Sequence, residues 1–247
     1  MTSAASPPGF AAVIGDVVRS REHPNRDALQ ESLRGAFQAA NGRVPAIQPL
    51  TSTLGDEFQG LYADLSGALD ATLLVRLHLT GAAEVRFGVG WGEVTMHTAA
   101  RAPFEQDGPA WWAARAALEQ VTLGAAKQEM PREWRTIVVE WDGASERSRP
   151  PTASEPVRAA PGDLPAPRPS GVRTIDGLNA FLACRDVLLD RLDDRAARLA
   201  IAHLEGKTQA EMAAQEGITQ SAVSQRLRTG GIYAITVASD LLAGRDR

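Results

Sequence analysis

The chain has 247 residues, 44% of them hydrophobic and 23% charged, the balance of a globular protein with room for one large or two ordinary domains. A formal net charge of -4 excludes a generally basic nucleic-acid coat, so any DNA contact must come from a local patch. The single cysteine, Cys184, excludes an internal disulfide framework. No apolar run approaches the roughly 20 residues of a membrane span, so a cytoplasmic protein that does not enter a membrane is expected.

Residues 1–9 have no basic leader and read as a short disordered lead, not a signal peptide. "FAAVIGDVV", Phe10 to Val18, is a compact β-branched run and reads as a buried strand with Asp16 near its end. A helix follows from about Arg26 to Asn41, with Leu29, Leu33 and Phe37 at helical spacing and Gly42 as its stop. Two strand-like pieces, "VPAIQPLTST" and "EFQGLYAD", meet at Leu54-Gly55-Asp56 as a hairpin. A second helix runs from about Leu65 to Leu79. In "EVRFGVGWGEVTM" a strand is punctuated by Gly88, Gly90 and Gly92, where backbone must pass close to something. A third helix opens on Pro109 and reaches about Gln120, and "WRTIVVEW" is the last strand. This order predicts an α+β sandwich of ferredoxin-like type over residues 10–143, one sheet with helices on one face. Seven prolines between Pro150 and Pro169 then predict a semi-rigid linker over 144–172. Residues 173–247 are helical in period and form an all-α domain. No internal repeat is visible.

Within that last region Thr208, with Glu211 three residues on, has the pattern of a capping box; Gly217 gives a tight turn and Thr219 can cap the next helix. Met212, Ala213, Ile218, Val223 and Leu227 fall where two crossed helices bury small and branched side chains. The pattern resembles the helix-turn-helix of sigma-factor and repressor DNA-binding domains, with Glu216 standing where a leucine is usual. The resemblance implies a recognition helix in the major groove. Gln220, Ser221, Ser224 and Gln225 would lie at base edges, Lys207, Arg226 and Arg228 would contact phosphates, and Thr219, at the helix cap, belongs to the same DNA-binding set. A helical hairpin used for dimerisation is the competing reading.

In the first region, Asp16 on a strand and Asp56 in a hairpin turn could stand close together, an arrangement that needs a cation such as Mg²⁺ to offset the repulsion. Each could equally cap its own turn. Arg19 and Arg21 flank the Asp16 loop and could hold phosphates or form a solvated edge. One of Trp111 and Trp112 packs on the sheet, and the other could stack on a base or join an interface. The four histidines, His23, His78, His97 and His203, form no metal-spaced cluster.

The segments "AVIGDVVRS", "STLGDEFQGLY", "VRFGVGWGEV" and "DGPAWWAARAALE" occur in an order that resembles class III nucleotide cyclases. That resemblance implies a nucleotide cyclase-like sandwich, Asp16 and Asp56 as ligands of Mg²⁺ or Mn²⁺ with a nucleotide, and Arg115 as the transition-state arginine. Ser52 stands where that family has its base-selecting lysine and Trp111 where it has an asparagine. The chain as a whole resembles the SatD family of bacterial proteins. Together these imply a transcriptional regulator: a homodimer on double-stranded DNA, with a non-catalytic cyclase-like sensor or dimerisation domain. A divergent Mg²⁺-dependent enzyme acting on a nucleoside triphosphate is the alternative.

Overall fold

The computed structural model describes residues 9–53, 55–96, 106–127, 131–141 and 175–245. The lead up to residue 8, the proline-rich stretch 144–172 and His97 lie outside the described residues.

Strand β1 (Phe10–Val17) is buried along almost all its length, which requires cover on both faces. Its even positions Phe10, Ala12 and Ile14 share an apolar cluster with α3 (Pro109–Lys127). Its odd positions Ala11, Val13 and Val17 share another with α1 (Arg26–Arg43) and α2 (Leu65–His78). The other strands of the main sheet are β2 (Gln48–Ser52), β3 (Glu57–Tyr62), β4 (Val85–Gly92) and β7 (Thr136–Glu140), in the order β2-β3-β1-β4-β7. β1 is antiparallel to β3 and β4, β2 is antiparallel to β3, and β7 joins β4 in parallel. A two-stranded ribbon, β5 (Thr95–Met96) with β6 (Gln106–Asp107), stands apart. The path β1-α1-β2-β3-α2-β4 in this strand order is ferredoxin-like, with β7 added at one edge. The α+β expectation and the hairpin therefore hold.

One part of that expectation fails. The helices do not share a face, because α3 lies across the sheet from α1 and α2. The glycines of β4 supply the physical reason. A Cβ on Gly88 would stand 2.1 Å from the Ala114 carbonyl oxygen, and one on Gly90 would stand 1.9 Å from that of Ala110. The close approach read from "FGVGWG" is the bed of α3.

Helix ends shift for similarly local reasons. Gly42 does not stop α1, which runs to Arg43 and closes at the extended Val44. Val44 precedes Pro45, and a residue before proline is pushed out of the helical region. α3 runs past Gln120 to Lys127 because Val121 and Gly124 continue its buried face.

An asparagine side chain bonds the backbone of each edge strand of the main sheet. Asn41 of α1 bonds the backbone N–H and C=O of Leu50 in β2, at 2.8 and 2.9 Å. Asn179 of α4 (Ile175–Asp190) does the same to Val138 of β7, with both bonds at 2.8 Å. One residue's backbone groups on each edge strand are thus satisfied by a side chain.

α4 is followed by α5 (Asp194–Leu204), α6 (Gln209–Glu216), α7 (Gln220–Thr229) and α8 (Ile232–Ala243). α4 packs on the sheet, with Leu178 and Leu182 in the same cluster as Val138. α2 is apolar nearly all round, and both sides are used. Leu69 and Leu74 face the sheet cluster, whereas Leu73 and Leu77 pack with Leu199, Met212, Val223 and Leu227 of the later helices. Beneath this contact lie Arg185 and Asp186 of α4, both fully buried, with Arg76 of α2 reaching Asp186 at 2.8 Å.

Candidate functional site

The sheet register assembles the first set of charges. Asp16 stands opposite Glu57 on β3 and opposite Arg86 on β4. Alternation along β1 puts all three on the α3 side, in line with Ala12 and Ile14. Arg86 donates from Nε and Nη2 to the two carboxylate oxygens of Asp16, at 2.9 and 2.8 Å. Arg115, descending from α3, donates from Nη1 and Nη2 to the two oxygens of Glu57, at 2.8 and 2.9 Å. The Glu57 hydrogen bonds raise the Arg115 guanidinium above its ordinary pKa, against the opposing effect of burial; Glu119 and Asp16 add to the rise.

Asp56 has a different partner. In the hairpin turn it accepts a short hydrogen bond from Ser20 Oγ, and Ser20 is buried in the 3-10 turn (Ser20–Glu22) that follows β1. Each aspartate is therefore held by protein, and the positive charge beside the Asp16 carboxylate is that of Arg86. Mg²⁺ or Mn²⁺ at Asp16 would have to displace a bidentate guanidinium. Among the described residues no group of three or more His, Cys, Asp and Glu is placed to hold a metal ion.

Arg86 is the member of this cluster that the sequence reading passed over, whereas for Glu57 strand alternation predicts only that it faces away from Asp56 and shares no cation with it. Glu57 follows Asp56 directly and Arg86 heads the "RFGVGWG" strand, but only the register of three strands brings them together. Replacing Arg86 by alanine strands a half-buried carboxylate. The Arg86→Ala variant is expected to lose about 1–3 kcal/mol, read from the urea midpoint. A loss below about 0.5 kcal/mol would show that solvent already screens the pair.

Arg19 and Arg21 are both exposed on the turn after β1. Arg19 is the non-glycine residue with positive φ among the described residues, at φ 53° and ψ 36°. Trp111 is buried against the sheet, as expected for one of the pair. Trp112 is occupied as well: its Nε1 donates to Asp107 at 2.6 Å, and its ring meets Trp141 edge-on with centroids 5.1 Å apart.

The second set of candidates lies on α6 and α7. The Thr208–Glu211 capping box is present, Gly217 adopts φ 65°, and Thr219 caps α7 by accepting from the Ala222 N–H. Met212, Ala213, Val223 and Leu227 are buried, and Ile218 packs against them. Gln220, Ser221, Gln225 and Arg228 are exposed, Ser224 is half-buried, and Thr219 Oγ1 lies 2.9 Å from Ser221 Oγ. Two of the expected phosphate contacts already have acidic neighbours. Lys207 Nζ is 3.0 Å from Glu205, and Arg226 Nη1 is 3.0 Å from Asp193, the residue that caps α5. Glu216, the residue out of pattern, accepts from Arg198 at 2.7 and 2.8 Å and from Arg195 at 3.3 Å, which ties α6 to α5 where a leucine would have packed. Arg198 holds the Glu216 carboxyl below its usual range. The stability this gives is present above the ordinary glutamate range and is lost as pH falls below that range through the lowered folded-state value.

No curated protein matches the chain. Among solved structures, one described as a bacterial light-regulated adenylyl cyclase is similar at TM-score 0.37 and 13% identity, over 56% of this chain. The match takes in 46% of that protein, so this chain spans under half of its length. Residues 10–125, which supply β1 to β4 and all four charges of the Asp16–Arg86 and Glu57–Arg115 pairs, match the model of the SatD family, and over that span the family resemblance read from the sequence is confirmed.

Proposed function

We propose that the protein is a bacterial transcriptional regulator that binds double-stranded DNA through α6 and α7 and works as a homodimer. The sheet region serves as a non-catalytic sensor or dimerisation module. The observation that carries this reading is the outer face of α7. Gln220, Ser221, Gln225 and Arg228 are exposed over a buried Val223–Leu227 underside, and no acidic residue interrupts residues 219–230. Amide and hydroxyl groups at a helix N-terminus suit base edges in a major groove, and a two-fold dimer would read two half-sites about one helical turn apart.

Genome-wide mapping of bound DNA in the native host tests this directly, and absence of sequence-selective occupancy would overturn it. On the site so found, Gln220→Ala is expected to relax sequence preference. Arg228→Ala is expected to weaken binding to all sequences and to lower the salt slope by about one. Arg228 serves this measurement better than Arg226, whose pairing with Asp193 would mix a structural loss into the result. Equal loss of preference in both variants would contradict the assignment. The competing reading is a Mg²⁺- or Mn²⁺-dependent enzyme acting on a nucleoside triphosphate. Turnover of nucleotide with Mn²⁺, abolished by Asp56→Ala, would establish it instead; the engagement of Asp16 by Arg86 weighs against it.

A further inference from the structure

A cleft of about 560 Å³ opens where the sheet region meets the later helices, away from the α3 face. Its walls are the turn after β1, the loop joining α2 to β4, and the end of α4 with Asp190 and Leu192. The volume is that of a small-molecule site.

Three arginines line it: Arg19, Arg76 and Arg135. Arg76 and Arg135 form its buried part, with side chains 9% and 11% exposed. Their donors are incompletely used. Arg135 Nη2 donates to Glu84 at 2.6 Å, but its Nε is buried with no hydrogen-bond partner among the described residues. Arg76 Nη1 lies 2.8 Å from Asp186 without hydrogen-bond geometry, and its Nη2 is 3.8 Å from Asp190. Arg135 Nε and Arg76 Nη1 are themselves shut off from solvent, but each guanidinium carries five N–H donors, more than Glu84, Asp186 and Asp190 engage, and both side chains line the cleft. At the rim, Arg19 is held in a left-handed conformation that costs a non-glycine residue energy. Glu84 and Asp190 sit toward solvent and can accept hydroxyl or amino donors.

We propose that this cleft binds a small molecule carrying a phosphate group, which Arg19, Arg76 and Arg135 clasp while Glu84 and Asp190 take its hydroxyl or amino end. Forked guanidinium donors match the oxygens of a phosphate better than a single point charge does. Because the walls come from β1, α2 and the α4–α5 junction, the ligand touches both the sheet and the helices that lead to α7. That regulatory consequence rests on the proposed DNA-binding reading; the binding site itself does not.

The test uses inorganic phosphate, the full chain and no DNA. Thermal melting is followed in phosphate and in chloride at equal ionic strength. Phosphate at about ten times its dissociation constant is expected to raise the wild-type Tm by a few degrees. Arg228→Ala, outside the cleft, should show the same rise. In Arg19→Ala and Arg135→Gln the rise should fall to the small part that any excluded salt produces. Arg19 is exposed, so its variant keeps the test decisive even if Arg135→Gln folds poorly. No phosphate-specific rise in the wild type, or an undiminished rise in Arg19→Ala, overturns the proposal.

Discussion

Gly90→Ala is expected to destabilise the protein by at least about 3 kcal/mol, although it adds one methyl group. The new Cβ would stand 1.9 Å from the Ala110 carbonyl oxygen and 2.3 Å from the Ala114 backbone nitrogen. Both neighbours are helix backbone, so no side chain can rotate away, and α3 must lift from the sheet. Lifting α3 exposes part of the Ile14, Leu61, Ala114 and Leu118 cluster and withdraws Arg115 from Glu57. Gly35→Ala in α1 is the matched control. Nothing lies within 4 Å of its Cβ, so alanine there should stabilise by about 0.5–1 kcal/mol through helix propensity. Urea midpoints of the two variants should move in opposite directions. A Gly90→Ala midpoint within about 0.5 kcal/mol of wild type would mean that α3 is not seated on β4 as described.

The same glycines show what the sequence can and cannot reveal. Their spacing in "FGVGWG" marks a close approach, but nothing local says which element approaches, and α3 lies some twenty residues downstream. Elements with their own signals are legible: β1 by its β-branched run, the hairpin by Gly55-Asp56, and α6 by Thr208, Glu211 and Gly217. The charge cluster is only half legible. Asp16, Asp56 and Arg115 stand out by type and motif, whereas Arg86 and Glu57 join them through strand register, a property of three segments together. Knowing Arg86 changes the chemistry from two carboxylates seeking a cation to two carboxylates already held. The docking of the later helices does have a signal. α2 carries Leu69 and Leu74 but also Leu73 and Leu77, more apolar surface than one face can use. A helix that is apolar nearly all round needs two neighbours. The proline-rich stretch suggests two bodies joined by a tether, whereas α2 and α4 place the contact directly between them.

That contact makes Asp186→Ala the most informative change in the helical region, with an expected loss of about 3–5 kcal/mol. Asp186 is fully buried and serves three partners: Arg185, Arg76 and the backbone N–H of Arg135 next to β7. Removing it leaves Arg185 without its counter-charge, because Leu69, Thr72 and Thr136 offer only neutral oxygens. Burial already pushes the Arg185 guanidinium below its ordinary pKa, and the Asp186 carboxylate is the first influence opposing that. Asp190→Ala is the control. It lies 3.8 Å from Arg76 and is partly exposed, so its loss should stay below about 1 kcal/mol. The consequence for cooperativity can be read separately, since all five tryptophans precede residue 142 and report on the sheet region alone. In the wild type, tryptophan fluorescence and far-ultraviolet circular dichroism should follow one urea transition, because α2 belongs to both apolar clusters. In Asp186→Ala the helical signal should fall first, with tryptophan fluorescence following at higher urea. Coincident transitions in the variant, at an unchanged midpoint, would mean that apolar contact through Leu73 and Leu77 joins the regions without help from the buried charges.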